Sequence, residues 1–448
     1  MKDTDLKILY NGTVVTHGPN CQVIENGAVA FQNSTIVDVG TSSEVLYKHL
    51  NNPDVVKIDV EGRLIAPGLI SAHTHFYGMY SRGMALKDDP PANFGQVLER
   101  LWWRLDKALD NSSTKLSAQV CLAEAIRCGM TTVFDHHASP SALEGSLDVI
   151  ADVCKEAGVR ACLTYEISNR NGADEALAGL TENVRFIENL KALPEAERAM
   201  LAGMIGLHAQ FTVSDEILTK CAEAMKNLDV GCHIHVAEGI EDVAETYGPV
   251  ERLHKFGLTS SKSLFAHCVH VNDKEVQILK ETGTVVSHQP ESNMNNGVGV
   301  ADIPKLLEND VTVVLGTDGM HNDMLREMRA AYFVNKLAKK DPRVMGPQPA
   351  EILFQNNAQL ASNTFGVNVG ELEKGAVADL IILDYFSPTP ISAGNFPWHV
   401  VFGMGSQLVH STICNGKFLM YDRELLTLNA EVIAAEAKRI APEVWERF

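Results

Sequence analysis

Pro67-Gly-Leu-Ile-Ser-Ala-His73-Thr-His75-Phe76 is the stretch on which the fold reading turns. A short apolar run from Leu64 to Ile70, interrupted by Pro67-Gly68, ends in two histidines one residue apart. Strand side chains alternate faces, so His73 and His75 point the same way. Two imidazoles aimed at one point suit a metal ion, because imidazole is the commonest protein metal ligand near neutral pH. A lone His-x-His pair is weak evidence. What decides is whether later strands end in further ligands.

Seven more β-branched runs follow: Thr131–Asp135, Arg160–Glu166, Met204–His208, Val230–His235, Leu264–His267, Thr284–His288 and Val311–Asp318. Helical patterns separate them, among them Lys115–Cys128, Leu147–Ala157, Asp215–Met225, Ile240–Phe256 and Asp273–Glu281. Repeated strand–helix units predict parallel strands. Eight of them predict an α/β chain built on a (β/α)8 TIM barrel. An open doubly wound sheet is the alternative, but Gly-x-Gly-x-x-Gly is missing after the first run.

The barrel is expected over 64–369, with Asp323–Lys339 and Pro349–Phe365 as closing helices. Before it, short alternating runs read as a β-meander, with Asn11-Gly12 and Asn26-Gly27 as turns. After it, Ala378–Asp384, Leu408–Cys414 and Lys417–Met420 read as strands, the last two joined by Asn415-Gly416. Segments 1–63 and 370–448 are expected to form one discontinuous β-sandwich, with a last helix at Asn429–Arg447.

The 448 residues carry a net charge of -19, which disfavours nucleic-acid and anionic-membrane partners. The first residues hold no apolar leader, and no run approaches a membrane span. Nine scattered cysteines without a Cys-x-x-Cys pair fit free thiols in a reducing cytoplasm.

Polar residues gather where the runs end, the end that forms the mouth of such a barrel. His73 and His75 end the first, His235 the fifth, His267 the sixth and Asp318 the eighth. Three imidazoles and a carboxylate could hold zinc or another divalent transition metal. The structural alternative is that each caps its strand by hydrogen bonding. Glu238, three residues after His235, could shuttle a proton. It could equally be an acidic residue in the first turn of the next helix.

These residues resemble the amidohydrolase superfamily, in its cytosine deaminase-like branch of aminohydrolases and chlorohydrolases. The resemblance rests on Pro67–His75, Ser81-Arg-Gly83, Thr131–Asp135, Leu207-His208, His235-Val-Ala-Glu238, Ala266–His270, Ser287–Asn293 and Gly316-Thr-Asp-Gly319. Leu101–Asp106, Asp135–Pro140, Ser292–Asn296 and Phe402–Ser406 resemble its SsnA subgroup. The resemblance implies metal ligation by His73, His75, His235 and Asp318. It implies Glu238 as proton shuttle and His267 as partner of water or substrate. His208 matches a substrate-contacting position, and Asn293 joins that set. The fourth run ends in His208 with no lysine to bridge two ions, which favours one divalent ion per chain, zinc first, with Fe2+ or Mn2+ possible.

Two places depart from the family pattern. His136-His137 follows the second run, and His137 is expected to line the pocket. Glu166 and Asn169-Arg170 follow the third, where Arg170 could bind a carboxylate or ring oxygen. Trp102, Trp103 and Tyr77 could stack on a flat ring. The expected activity is hydrolytic removal of an exocyclic amino group from a purine- or pyrimidine-like heterocycle. Ring opening of a cyclic amide and dechlorination are the alternatives. A homo-oligomer, dimer or larger, is expected.

Overall fold

The computed structural model describes residues 5–243 and 247–448. Eight parallel strands follow one another in chain order: β1 (Leu69–Thr74), β2 (Met130–His137), β3 (Arg160–Tyr165), β4 (Ile205–Ala209), β5 (Cys232–Val236), β6 (Leu264–His267), β7 (Val285–His288) and β8 (Val313–Leu315). β1 to β3 pair in sequence, and so do β4 to β8. Between β3 and β4 the ladder is carried by Leu201–Gly203, which pairs with Ala161–Leu163 just before β4, and by a bridge from Ile167 to Leu207. At the other seam it thins to one bridge, Thr74 to Asp318, so the order returns to β1. Every residue of these eight strands is buried, which explains their apolar, β-branched texture. The expected TIM barrel is the fold.

Helices cover the outside by an apolar stripe. Ser146–Ala157 buries Leu147, Ile150, Ala151, Cys154 and Ala157, the spacing of one helical face. The expected helix Ile240–Phe256 is instead a short 3-10 turn, Ile240–Asp242, and a helix, Pro249–Lys255. Residues 244–246 between them lie outside the described residues.

The two chain ends, with Leu64–Pro67, build one hydrogen-bonded nine-stranded sheet. It wraps a core that includes Leu9, Val29, Phe31, Leu380 and Ile413. Leu64–Pro67 belongs to this sheet, between Thr13–Val14 and Leu380–Leu383. The opening stretch therefore divides at Gly68, four residues beyond the start expected for the barrel. Gly68 fits there because a Cβ would lie 2.3 Å from a Thr131 methyl.

Asn11-Gly12 and Asn26-Gly27 are not turns. Both lie inside strands, Lys7–Val15 and Val23–Gln32, where Gly12 pairs with Gly27 across shifts of register. Asn11 and Asn26 take left-handed φ of 62° and 45°, so the motif made bulges. Asn415-Gly416 is the turn expected, with both residues at positive φ. The last helix, Ala430–Arg447, docks on the barrel, where Trp445 Nε1 donates to Tyr80 O at 2.8 Å.

Candidate active site

Strand ends deliver the site, and left-handed residues aim it. β1 projects His73 and His75 to one side. β5 brings His235, then turns through Ala237 at φ 51° to present Glu238. His267 ends β6 at φ 73°, and Asp318 follows β8 at φ 56°. Such conformations are uncommon for non-glycine residues and persist only when neighbours enforce them. Here Cys268 N donates to Val236 O at 2.8 Å, and Asp318 N donates to His73 O at 3.0 Å. Gly316 allows that approach, since a Cβ would sit 2.6 Å from His73 N.

The ligand atoms converge. His75 Nε2 lies 3.1 Å from His235 Nε2 and 3.3 Å from Asp318 Oδ1. His73 Nε2 lies 3.7 Å from Asp318 Oδ1, and His267 Nε2 lies 3.7 Å from Asp318 Oδ2. The other ring nitrogens are tied behind. His75 Nδ1 donates to His136 O at 2.5 Å, and His235 Nδ1 donates to His208 O at 2.7 Å. His73 Nδ1 meets His233 Nε2 at 2.8 Å, and His267 Nδ1 meets Asn293 Oδ1 at 2.8 Å. Rings held this way turn Nε2 lone pairs to one centre, the second-layer arrangement of metal-binding histidines.

His73 Nε2 and His267 Nε2 are buried without a hydrogen-bond partner. Burial drives His73 and His235 well below the ordinary histidine range and lowers His75, so neutral rings are favoured. Burial works to raise Asp318, yet its carboxyl lies below the ordinary range, with Gly319 N donating to Oδ1 at 2.7 Å, which leaves a carboxylate. Neutral imidazoles, an ionised carboxylate and unpartnered lone pairs fit a divalent ion.

Glu238 stands at the edge of this cluster. Its Oε2 is 3.3 Å from His267 Nε2, and its Oε1 accepts from Asn296 Nδ2 at 3.1 Å. Burial raises it to about 7 against the pull of His267. It can therefore hold or release a proton near neutrality.

A cavity opens beside the cluster. Phe94, Leu98, Trp102 and Trp103 line one side, with Tyr77 and Phe211. Of the expected substrate residues, Trp102 and His208 face this space. His137 lies buried outside the lining, its Nε2 2.9 Å from Ser139 Oγ. Asn293 stands behind His267 rather than in the cavity. Arg170 is paired with Asp106 and stacked on Trp103 at 5.6 Å, so its charge is engaged within the protein. Phe94, Phe211 and Asp242 also line the cavity and carry no expectation from the sequence, while Asp106 and Asn296 enter only as ends of the motifs quoted above. Phe94, Leu98 and Trp102 recur every four residues, a helical stripe that could have marked this wall. Leu98–Trp102 is a π-helical turn, a form frequent at functional sites.

The fold and this donor set define a metal-dependent hydrolase site in a barrel. The amidohydrolase family model matches residues 64–419, and the chain belongs to that family. It is 31% identical over 449 residues to a 5'-deoxyadenosine deaminase of Methanosarcina mazei, covering 98% of each chain. It is 32% identical over 446 residues to a 5-methylthioadenosine/S-adenosylhomocysteine deaminase of Desulfitobacterium hafniense, covering 97% of this chain and 98% of that one. An adenosine deaminase from Xanthomonas campestris, solved with bound zinc, superposes with a TM-score of 0.85 at 24% identity over 98% of both chains. That likeness concerns the fold.

Proposed function

We propose that this chain is a metal-dependent aminohydrolase that removes an exocyclic amino group from a purine-like heterocycle, with zinc as the ion. The carrying observation is Glu238, buried and 3.3 Å from His267 at the edge of the His73–His75–His235–Asp318 cluster, where burial raises it to about 7. The names of the deaminase relatives support the same bond. Three imidazoles and one carboxylate suit zinc, with Fe2+ and Mn2+ as alternatives, one ion per chain.

An ion held there supplies the Lewis acidity that makes water nucleophilic near neutral pH. His73, His75, His235 and Asp318 would hold it. Glu238 would give its proton to a ring nitrogen beside the attacked carbon and then regain one from the hydroxyl added to that carbon as the C=O forms. Asp318 would accept the proton that water loses and pass it to the departing amine, which leaves as ammonia. His267, with Nδ1–H on Asn293, turns a lone pair inward and orients water as an acceptor. Trp102 and Trp103 flank the ring plane.

Among the described residues, no Lys or Arg lines the cavity, while Asp106, Glu166, Glu238, Asp242 and Asp318 do. A phosphate would meet carboxylates there, which favours bases and nucleosides over nucleotides. The SsnA subgroup is the finer placement, since Trp102, Trp103, Asp106, Ser292 and Asn296 of its motifs line the cavity. Nine free cysteines support a reducing, cytoplasmic setting. No helix among the described residues is long and apolar enough to cross a membrane. Exposed Phe333, Leu337, Trp398 and Phe402 support a homo-oligomer, which sedimentation would check.

The test is ammonia release from aminopurines, oxopurines, pterins and triazines by metal-replete protein purified without chelator. Ammonia with about one ion per chain supports the reading. A ring-opened acid without ammonia moves it to cyclic amide hydrolysis, and chloride release to dechlorination. Metal-free protein with full turnover would overturn it.

A further inference from the structure

Strand register sets a second pair of donors beside the first cluster. β2 and β3 pair His136 with Thr164, and Glu166 N donates to His137 O at 2.8 Å, so the ladder runs on past β3. Glu166 stands two residues beyond Thr164 and shares its face, the face His136 also takes. One ligand atom from each of His136 and Glu166 falls within 4.8 Å of those of His75 and His235. Neither side chain has a task in the reaction above.

The contacts between them lack a proton. His136 Nε2 donates to His233 O at 3.1 Å, so in the neutral ring Nδ1 is a lone pair. That Nδ1 is buried without a hydrogen-bond partner, although Glu166 Oε2 lies 3.3 Å away. The Thr212 hydroxyl donates to Ala209 O at 2.9 Å, so His208 Nδ1 donates to Thr212 Oγ1. His208 Nε2, 4.0 Å from Glu166 Oε1, is then a lone pair too. Arg170 Nη2 also stands 4.0 Å from Oε1, but it is bonded to Asp106. Acceptors facing acceptors away from water cost free energy, and a cation between them removes that cost. The spacing suits one. Two atoms each about 2.1 Å from a tetrahedral zinc lie about 3.4 Å apart, close to the 3.3 Å between His136 Nδ1 and Glu166 Oε2.

We propose that His136 Nδ1 and Glu166 Oε2 form a second, weaker site for a small divalent cation such as zinc, beside the first ion and filled only when zinc is in excess. An imidazole nitrogen has one lone pair, so His75 and His235 cannot serve both ions. Two protein ligands leave the rest of the shell to water, and the first ion repels the second. Both facts make the site weak. The proposal takes the first ion at His73, His75, His235 and Asp318 as given and is independent of the bond cleaved.

The experiment titrates zinc into protein already carrying its first zinc, by calorimetry and by metal analysis after equilibrium dialysis, with ammonia release recorded alongside. The wild type is expected to take one further zinc per chain, ~10-fold or more weaker than the first. Glu166→Gln, whose amide can donate to His136 Nδ1, and His136→Gln, whose amide can still donate to His233 O, are each expected to keep the first zinc and weaken the second by ~10-fold or more. The first zinc, if kept, reports an intact fold. A wild type that stops at one zinc overturns the second site without any variant. A further zinc held at full affinity by either variant lies elsewhere and overturns it too. Loss of the first zinc from Glu166→Gln would make Glu166 a ligand of that ion and overturn a separate site. A wild type that takes up no zinc removes the metal-dependent reading as well, whereas two zincs without ammonia release leave this site standing and count against the deaminase reading alone.

Discussion

Two clusters of histidine and carboxylate lie within a few residues of each other along the chain, and they treat the proton in opposite ways. In the barrel mouth, His73, His75 and His235 are pushed toward neutrality by burial, and their Nε2 lone pairs converge. Three residues past Asp318, His321 Nε2 lies 2.9 Å from Glu327 Oε2 and 3.3 Å from Glu291 Oε2. Burial alone would lower His321, but these two carboxylates outweigh it and raise the ring to about 9. The opposing contact is Asp323 N–H, 3.1 Å from Nδ1, which suits a neutral ring. One neutral hydrogen bond is worth about 1 kcal/mol, less than the attraction of two nearby carboxylates for a charged ring out of water. So similar distances between similar residues favour neutral, converging rings in one place and a charged ring in the other. The difference lies in the ratio of carboxylates to rings and in what each ring's far nitrogen meets.

The largest effect is expected from Asp318→Ala. It should strip the ion, read as metal per chain, and lower turnover by ~10^3-fold or more. Retention of a full ion by this variant would show that the three imidazoles hold it without Asp318. Glu238→Gln should keep the ion and lower kcat/KM by ~10^2 to 10^4-fold, the usual share of a positioned proton donor. Asn293→Ala frees the His267 ring and should weaken metal affinity or activity by about 10- to 100-fold. The smallest effect on chemistry belongs to His321→Gln, which should leave metal content and turnover near wild type and cost about 1–3 kcal/mol of stability at neutral pH. Its pH dependence sharpens the comparison. Folding raises His321 from an ordinary 6.5 to about 9, so its stabilisation is complete below 6.5 and lost as pH rises through 9. The Tm gap between wild type and His321→Gln should therefore close between pH 7 and 10.

Much of this was legible in the sequence because barrel strands are short, buried on both faces and end in their chemistry. The strand at Leu264–His267 falls where the apolar run predicts it. His73, His75, His235, His267 and Asp318, read as strand ends, converge within a few ångströms. What stayed hidden depends on partners distant in the chain. Arg170 looked like a free anion binder, but Asp106, from another loop, engages it. Asn293 looked like a substrate contact, but its amide faces back onto His267. His137 shares its motif with His136, yet strand alternation sends the two rings to different sides. Asn11-Gly12 and Asn26-Gly27 suit a bulge and a turn alike, and only the pairing of Gly12 with Gly27 distinguishes them.

A ribosome makes Leu64–Pro67, and the histidines just beyond it, long before Leu380–Leu383, its neighbour in the sheet. Until those later residues emerge, the strand leading into His73 has an open flank. The strand leading into His73 and His75 is then paired on both flanks only once nearly the whole polypeptide exists.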